Sequence, residues 1–262
     1  MLKLKINNLT MAFGGIIAVS NVSMAVEEGL IAGLIGPNGA GKTTLFNVMT
    51  GMYSPTSGTI SYKLRGKDIA GNKLKPYQIT KCGISRTFQN IRLFKDMTVL
   101  DNVRLAFHDN IKCGVMSSIL RLPSFYSEEE RIYKEATELL NVFKLADKKN
   151  EFARNLPYGE QRRLEIARAL AAKPEILLLD EPAAGMNPNE TKQLMGLIKW
   201  VRDKYKLTII LIEHDMSLVM NICEKVFVLD YGQLIAEGAP KEVQKNKKVI
   251  EAYLGGKDYV KA

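Results

Sequence analysis

The chain has 262 residues, 46% hydrophobic and 25% charged, which supports a packed core and argues against wholesale disorder. Lys and Arg number 37 against 28 Asp and Glu, a formal net charge of +9 that favours a polyanion (nucleotide, nucleic acid or an anionic membrane face) without choosing among them. Cys82, Cys113 and Cys223 form no CxxC pair and suit a reducing compartment; the N-terminus lacks a signal-peptide core, and no run of 18 apolar residues predicts a membrane span.

The first 65 residues carry strand patterns. Residues 2–6 and 22–26 alternate in polarity and 30–35 is a continuous apolar run. Turn signals at Gly14-Gly15, Glu28-Gly29 and Pro55-Thr56-Ser57-Gly58 separate them. Another strand is expected over 84–88. From about residue 96 to 160 the pattern is helical, with Thr98 and Asp101 as a capping box and a second helix opening at Ser127. A loop-like stretch from His108 to Ser127 lies between them. Beyond 160, helices over 161–172, 190–205 and 216–223 alternate with strands over 175–179, 207–212 and 226–229. That alternation implies an α/β fold with a parallel sheet covered on both faces. The layout is an α/β core with an N-terminal antiparallel β subdomain (1–90 and 161–240), an inserted helical subdomain (91–160) and a C-terminal helical tail (241–262).

Gly36-Pro37-Asn38-Gly39-Ala40-Gly41-Lys42-Thr43 matches G-x-x-x-x-G-K-[ST] at every fixed position. An apolar strand precedes it and a helical pattern, beginning at Thr44, follows. Glycines let successive N–H groups turn inward onto phosphate oxygens, and the helix N-terminus adds partial positive charge. Lys42 supplies a point charge for β- and γ-phosphates, and the Thr43 hydroxyl can ligate Mg²⁺. The motif specifies a nucleotide phosphate; by itself it does not choose ATP over GTP, nor does it specify hydrolysis.

The apolar run Ile176-Leu177-Leu178-Leu179 ends in Asp180-Glu181. Its carboxylates emerge at the carboxyl edge of the sheet, where open α/β sheets bind ligands. Asp180 is placed to hold Mg²⁺ through water, and Glu181 to polarise an attacking water as general base. His214 follows a second apolar strand, between Glu213 and Asp215, where a neutral imidazole could hydrogen-bond a γ-phosphate. His108 has no such context.

Taken in order, these elements resemble the ATP-binding-cassette (ABC) ATPases, and the resemblance covers essentially the whole chain. It implies a P-loop NTPase (RecA-like) core and ATP with Mg²⁺ as ligands. ATP would be held by residues 36–44 with Phe13 stacked on adenine, and Mg²⁺ by Thr43, Gln89 and Asp180. Glu181, His214, Gln89 and Lys42 are the implied catalytic set. The family's Leu-Ser-Gly-Gly-Gln signature, which touches the γ-phosphate held by a second ATPase subunit, reads Leu156-Pro157-Tyr158-Gly159-Glu160 here. Only Leu156 and Gly159 match, and Pro157 offers neither a hydroxyl nor an N–H. The helix behind that segment is expected to open near Glu160. Asn187, in the loop Ala184-Gly185-Met186-Asn187, is implied to face the same partner.

Several stretches are similar to ATPases of branched-chain amino acid importers: Arg86-Thr87-Phe88-Gln89, Met97-Thr98-Val99, Arg162-Arg163-Leu164-Glu165-Ile166-Ala167-Arg168, and the ending from Val249 to Gly255. The long stretch 107–127 also fits. That likeness implies a second ATPase subunit, two integral membrane permease subunits and an external solute-binding protein, with this chain at the cytoplasmic face of the membrane. Lipopolysaccharide-export ATPases are the nearest rival. A nucleic-acid-linked ABC ATPase usually has two cassettes or long coiled-coil inserts, neither of which this sequence shows. A P-loop kinase would carry a lid and acceptor site in place of Asp180-Glu181 and His214, and an ATP-gated scaffold would have no use for Glu181.

Overall fold

A computed structural model describes residues 1–107 and 120–254. Strands β1 (Leu2–Phe13) and β2 (Ile16–Glu27) form an antiparallel hairpin across Gly14-Gly15. Both are much longer than their alternating cores at 2–6 and 22–26 suggested. Register shifts near Asn8 and Asn21, each at positive φ, break the two-residue period and hide the rest of the strands. Strands β3 (Ile31–Ile35), β4 (Ser57–Leu64) and β5 (Lys67–Ala70) come next, and the first sheet has the order β2-β1-β4-β5.

The second sheet adds β6 (Ile84–Arg86), β7 (Ile176–Asp180), β8 (Thr208–Ile212), β9 (Lys225–Asp230) and β10 (Gln233–Gly238), in the order β10-β9-β3-β8-β7-β6. Its β9-β3-β8-β7-β6 portion is parallel, as the alternation implied. The edge strand β10 is antiparallel and carries no clear sequence pattern, because its side chains are only half-buried. It returns through a two-residue turn, Tyr231-Gly232, with φ of 43° and 77°, the conformation of a type I′ hairpin.

The helices are α1 (Lys42–Met49), α2 (Pro76–Cys82), α3 (Val99–Ala106), α4 (Pro123–Val142), α5 (Tyr158–Ala171), α6 (Pro188–Tyr205), α7 (Met216–Ile222), α8 (Pro240–Val243) and α9 (Lys247–Leu254). Several starts differ from expectation: α1 opens at Lys42 and α6 at Pro188, each two residues early, and α4 and α5 differ by more. The α4 helix opens at Pro123, before Ser127, and α5 opens at Tyr158, before Gln161. In both cases a proline at or next to the cap presets φ and lets the helix begin earlier than its charged or apolar pattern shows. Thr98 caps α3 by accepting from the Asp101 N–H at 3.0 Å while donating its hydroxyl to the Asp101 carboxylate at 2.7 Å. Of the 107–127 stretch, residues 108–119, including His108 and Cys113, lie outside the described residues, as do 255–262. Among the described residues no helix is long and apolar enough to cross a membrane.

One buried cluster lies between the second sheet and helices α3 to α7; another joins that sheet to the first sheet and α1. Every residue of β3, β7 and β8 is buried. Burying each Leu or Ile contributes roughly 1.5–3 kcal/mol, so these strands form a stiff platform. Residues 36–44 and Glu213-His214 follow β3 and β8, Asp180 ends β7 with Glu181 next, and Gln89 stands three residues beyond β6. The four groups thus leave the carboxyl edge of four neighbouring parallel strands.

Candidate active site

The 36–44 loop depends on its glycines. Gly36 and Gly41 have φ of 149° and 98°, and a Cβ would lie 2.0 Å from the Leu229 carbonyl oxygen at one and 2.4 Å from that of Ala18 at the other. Gly39 sits at φ 80° with open space around it. Gly41 also caps α1, and no side chain caps that helix and no acid sits in its first turn. The N–H groups of that turn and the helix dipole therefore face outward for an anion, beside an exposed Thr43 and a half-buried Thr44.

Lys42 lies across the loop, donating from Nζ to the carbonyls of Gly36 (2.7 Å) and Pro37 (2.8 Å). It is only 8% exposed. Burial lowers its pKa, and the charges of Glu181 and Asp180 oppose that shift. Asn38 is exposed at the loop tip, and Ala40 is buried beneath it, its N–H on the Pro37 carbonyl at 3.2 Å.

Asp180 is buried, and its Oδ2 accepts from Arg86 Nη2 at 2.6 Å. The sequence marks Arg86 only as part of a family-like stretch. Its other terminal nitrogen donates to Asn47 Oδ1 (2.7 Å) and Thr50 Oγ1 (3.3 Å) on α1 and the residue after it. Its guanidinium carbon lies 5.5 Å and 5.1 Å from the ring centres of Phe46 and Phe88. No sequence spacing links residues 86 and 180; only the β6–β7 pairing does.

Glu181 holds φ at 45°, the left-handed region, with its N–H on the Ile212 carbonyl at 3.0 Å. A non-glycine residue there stores about 1–3 kcal/mol of strain, typical of functional positions. Its Oε2 accepts from Gln89 Nε2 at 3.1 Å and lies 3.9 Å from His214 Nδ1. Two of the expected catalytic side chains, Gln89 and His214, thus converge on one oxygen of a third. His214 is 64% exposed, open to a ligand arriving from solvent.

Glu213 lies buried beneath them, accepting from the Ala183 N–H (3.1 Å) and the His214 N–H (3.3 Å). Burial pushes its carboxyl above the usual carboxylate range, against the pull of those N–H groups and the charge of His214. Phe13 is exposed at the end of β1, its ring edge-on to Tyr53 at 5.1 Å. A flat ring with one open face is suited to stacking.

The 156–160 segment forms a separate surface. Pro157 is the N-cap of α5 and provides no side-chain cap, so the helix begins with the N–H groups of Tyr158 and Gly159 at its mouth. The Tyr158 ring lies against Gly185, where a Cβ would stand 3.2 Å from it, and Gly159 lies against the Glu190 carboxylate. Glu160 pairs with Lys148 at 2.7 Å. Asn187 caps α6, its Oδ1 accepting from the N–H groups of Asn189 and Glu190 at 3.0 Å each.

Arg162 and Glu165, both fully buried, tie this helix to the residues around Gln89. Arg162 donates to the carbonyls of Phe88 and Gln89 at 2.7 Å each, and Glu165 accepts from the Arg92 N–H at 3.1 Å. Their spacing of three on one helix face was visible in the sequence; the backbone they hold was not.

The geometry agrees with what comparison with known proteins finds. Residues 19–184 match the family described as ABC transporter. The chain belongs to that family. Residues 233–259 match a second profile, branched-chain amino acid ATP-binding cassette transporter. Over 252 residues the ABC chain is 49% identical to the high-affinity branched-chain amino acid transport ATP-binding protein LivG of Salmonella typhimurium, covering 96% of this chain and 97% of that protein. It is 45% identical over the same length to BraF of Pseudomonas aeruginosa, a protein of the same description, again 96% and 97%. Among solved structures, an ABC transporter cassette in its ADP conformation superposes with a TM-score of 0.82 at 33% identity, over 97% of this chain and 99% of that one. A dimeric cassette in a post-hydrolysis state, bound to ADP and Pi, gives 0.75 at 27% identity over 90% and 98%. The ABC chain is accordingly an ATP-hydrolysing subunit of a transporter.

Proposed function

We propose that the chain powers import of branched-chain amino acids through a membrane complex. In this reading it binds ATP with Phe13 against adenine and residues 36–44 around the phosphates, and hydrolyses it with Glu181 as general base. Hydrolysis rests on one observation: Gln89 and His214 both lie beside Glu181 Oε2, at the edge where the phosphate loop ends. The solute class rests on the LivG and BraF likeness and the match of the chain's end.

Among the described residues no group of three or more His, Cys, Asp or Glu side chains could hold a metal ion. The donors present, the Thr43 hydroxyl, the Gln89 amide and an Asp180 carboxylate reaching through water, fit Mg²⁺ only when phosphate oxygens complete its shell. When bound, Mg²⁺ neutralises phosphate charge. Lys42 gives up its two carbonyls for the β- and γ-phosphates. Glu181 takes the proton of the attacking water, Gln89 orients that water, and His214 donates to the γ-phosphate.

Two copies, or this chain and a close relative, close head to tail. The Tyr158 and Gly159 N–H groups of one then face the γ-phosphate of the other, with Pro157, Glu160 and Asn187 at the seam. We read 1–90 with 161–240 as the core and β subdomain, 91–160 as the helical subdomain and 241–262 as the tail. The stretch from Gln89 to Met97 would meet a permease helix; Phe94, half exposed there, offers an apolar contact. The complex comprises two permease subunits and an external solute-binding protein, with this chain peripheral at the cytoplasmic face and no nucleic acid involved.

Reconstitution in proteoliposomes with the permeases and binding protein of its own operon tests the reading. ATP inside should drive uptake of labelled leucine. Co-purification with lipid-export components and no leucine uptake would replace import with export.

A further inference from the structure

We propose that Arg86 is a built-in counter-charge for Asp180, which lets the site accept a nucleotide before, or without, its metal. The inference rests on the placement of Asp180 beside the bound phosphates and metal given above.

The pair is almost wholly enclosed, with the Arg86 and Asp180 side chains 6% and 4% exposed and 2.6 Å apart. Burying a single carboxylate there without a partner would leave a negative charge at the floor of a phosphate site, weakly screened by solvent. Arg86 removes that repulsion permanently. Both terminal nitrogens are held, one by Asn47 and Thr50 and the other by Asp180, and the guanidinium lies near the rings of Phe46 and Phe88, while its buried Nε has no hydrogen-bond partner among the described residues. The planar guanidinium can meet Asp180, Asn47 and Thr50 at once, and its positive charge is what the phosphate site uses.

Asn47 and Thr50 belong to, or directly follow, the helix whose N-terminus faces the phosphates. Arg86 therefore ties α1, β6 and β7 together at one point. With Lys42 and Arg86 against Asp180 and Glu181, the formal charges of this inner group cancel. Four groups whose formal charges cancel give a bare divalent cation little electrostatic attraction. The metal then comes with the triphosphate. The hydrogen bond from Arg86 goes to Oδ2 of Asp180.

The test measures equilibrium binding of a non-hydrolysable ATP analogue to the purified chain, in EDTA and in magnesium. Turnover does not enter either measurement. Metal-free affinity should follow the charge left at the floor: tightest for D180N, equal for wild type and the R86Q/D180N double variant, weakest for R86Q. One uncompensated charge a few ångströms from phosphate should cost R86Q about tenfold in EDTA and much less in magnesium. R86K, which keeps the charge and loses the fork geometry, should bind nearly as wild type in EDTA.

If R86Q or D180N does not fold, R86K and the double variant still test the proposal, since neither leaves a lone buried charge and both should bind as wild type in EDTA. Metal-free affinities that ignore this order, or an R86K that fails as badly as a folded R86Q, would overturn the proposal and leave Arg86 a structural tie. A D180N with unaltered affinity in both conditions would instead remove Asp180 from the site, and with it the parent reading.

Discussion

The loop at 36–44 and the segment at 157–160 both present backbone N–H groups at the start of a helix, yet they are prepared very differently. In the first, the charged groups are already engaged: Lys42 on two carbonyls of its own loop, Asp180 on Arg86, Glu181 on Gln89. In the second, α5 starts uncapped by any side chain, behind a proline. A phosphate entering the first must displace hydrogen bonds that the protein makes with itself. At the second, the first N–H groups of α5 have no side-chain cap to displace. The loop thus holds its shape through its own hydrogen bonds, whereas on the reading proposed above the segment acts only when another subunit brings a phosphate to it. Ligand state then selects the closed pair through the second surface more than the first.

The strongest way to break this contrast is to disable chemistry while leaving the loop intact. Glu181→Gln keeps a side chain of the same shape, able to meet Gln89, and removes the base. Phosphate release should fall by about 10²- to 10⁴-fold, with ATP affinity retained. Steady-state hydrolysis near the wild-type rate would move the base elsewhere and make the Gln89–Glu181–His214 convergence incidental.

A smaller effect sharpens the other side. Pro157→Ser restores both a hydroxyl and an N–H at the cap of α5. Serine at an N-cap stabilises a helix by about 0.5–2 kcal/mol, so the melting temperature should rise. If the segment also reaches a phosphate across the dimer, one bond to a charged group is worth about 1.5–3 kcal/mol, and the ATP-bound dimer of the Glu181→Gln protein should separate about tenfold more slowly. A higher melting temperature with an unchanged dissociation rate would confine Pro157 to helix stability.

What the sequence made legible follows the same division. Motifs whose chemistry is local, such as Gly36 to Thr43 or the apolar run into Asp180-Glu181, could be read directly, because one strand and one helix carry all their parts. The parallel order of β9, β3, β8, β7 and β6 was implied by alternation alone. Arg86 on Asp180, and Arg162 with Glu165 on the backbone around Gln89, could not be read, since those partners are 94 and 73 to 77 positions apart. Such contacts exist only once β6 lies beside β7 and α5 packs over the Gln89 stretch. Helix starts were misjudged where proline set the backbone, and β10 was missed because a half-buried edge strand needs no strict alternation.

Glu213 joins the two surfaces, which makes it the finest probe of how they differ. Its carboxylate holds the Ala183 N–H, at the root of the loop that carries Gly185 to Tyr158, and the N–H of His214 in the active site. Burial raises its pKa above that of an unfolded glutamate. Between those two values the folded chain holds more protons than the unfolded one. The stabilising contribution is complete at low pH and is lost as pH climbs through the folded value. Glu213→Gln cannot ionise, and its amide oxygen can still accept from Ala183. The melting temperature of the variant minus that of wild type should therefore grow as the pH rises above about 4.5, the ordinary value for a glutamate. A difference that is flat or shrinks over that range would mean the carboxyl is not held in a dry position, and the link between His214 and the partner-facing loop would have to run through packing alone.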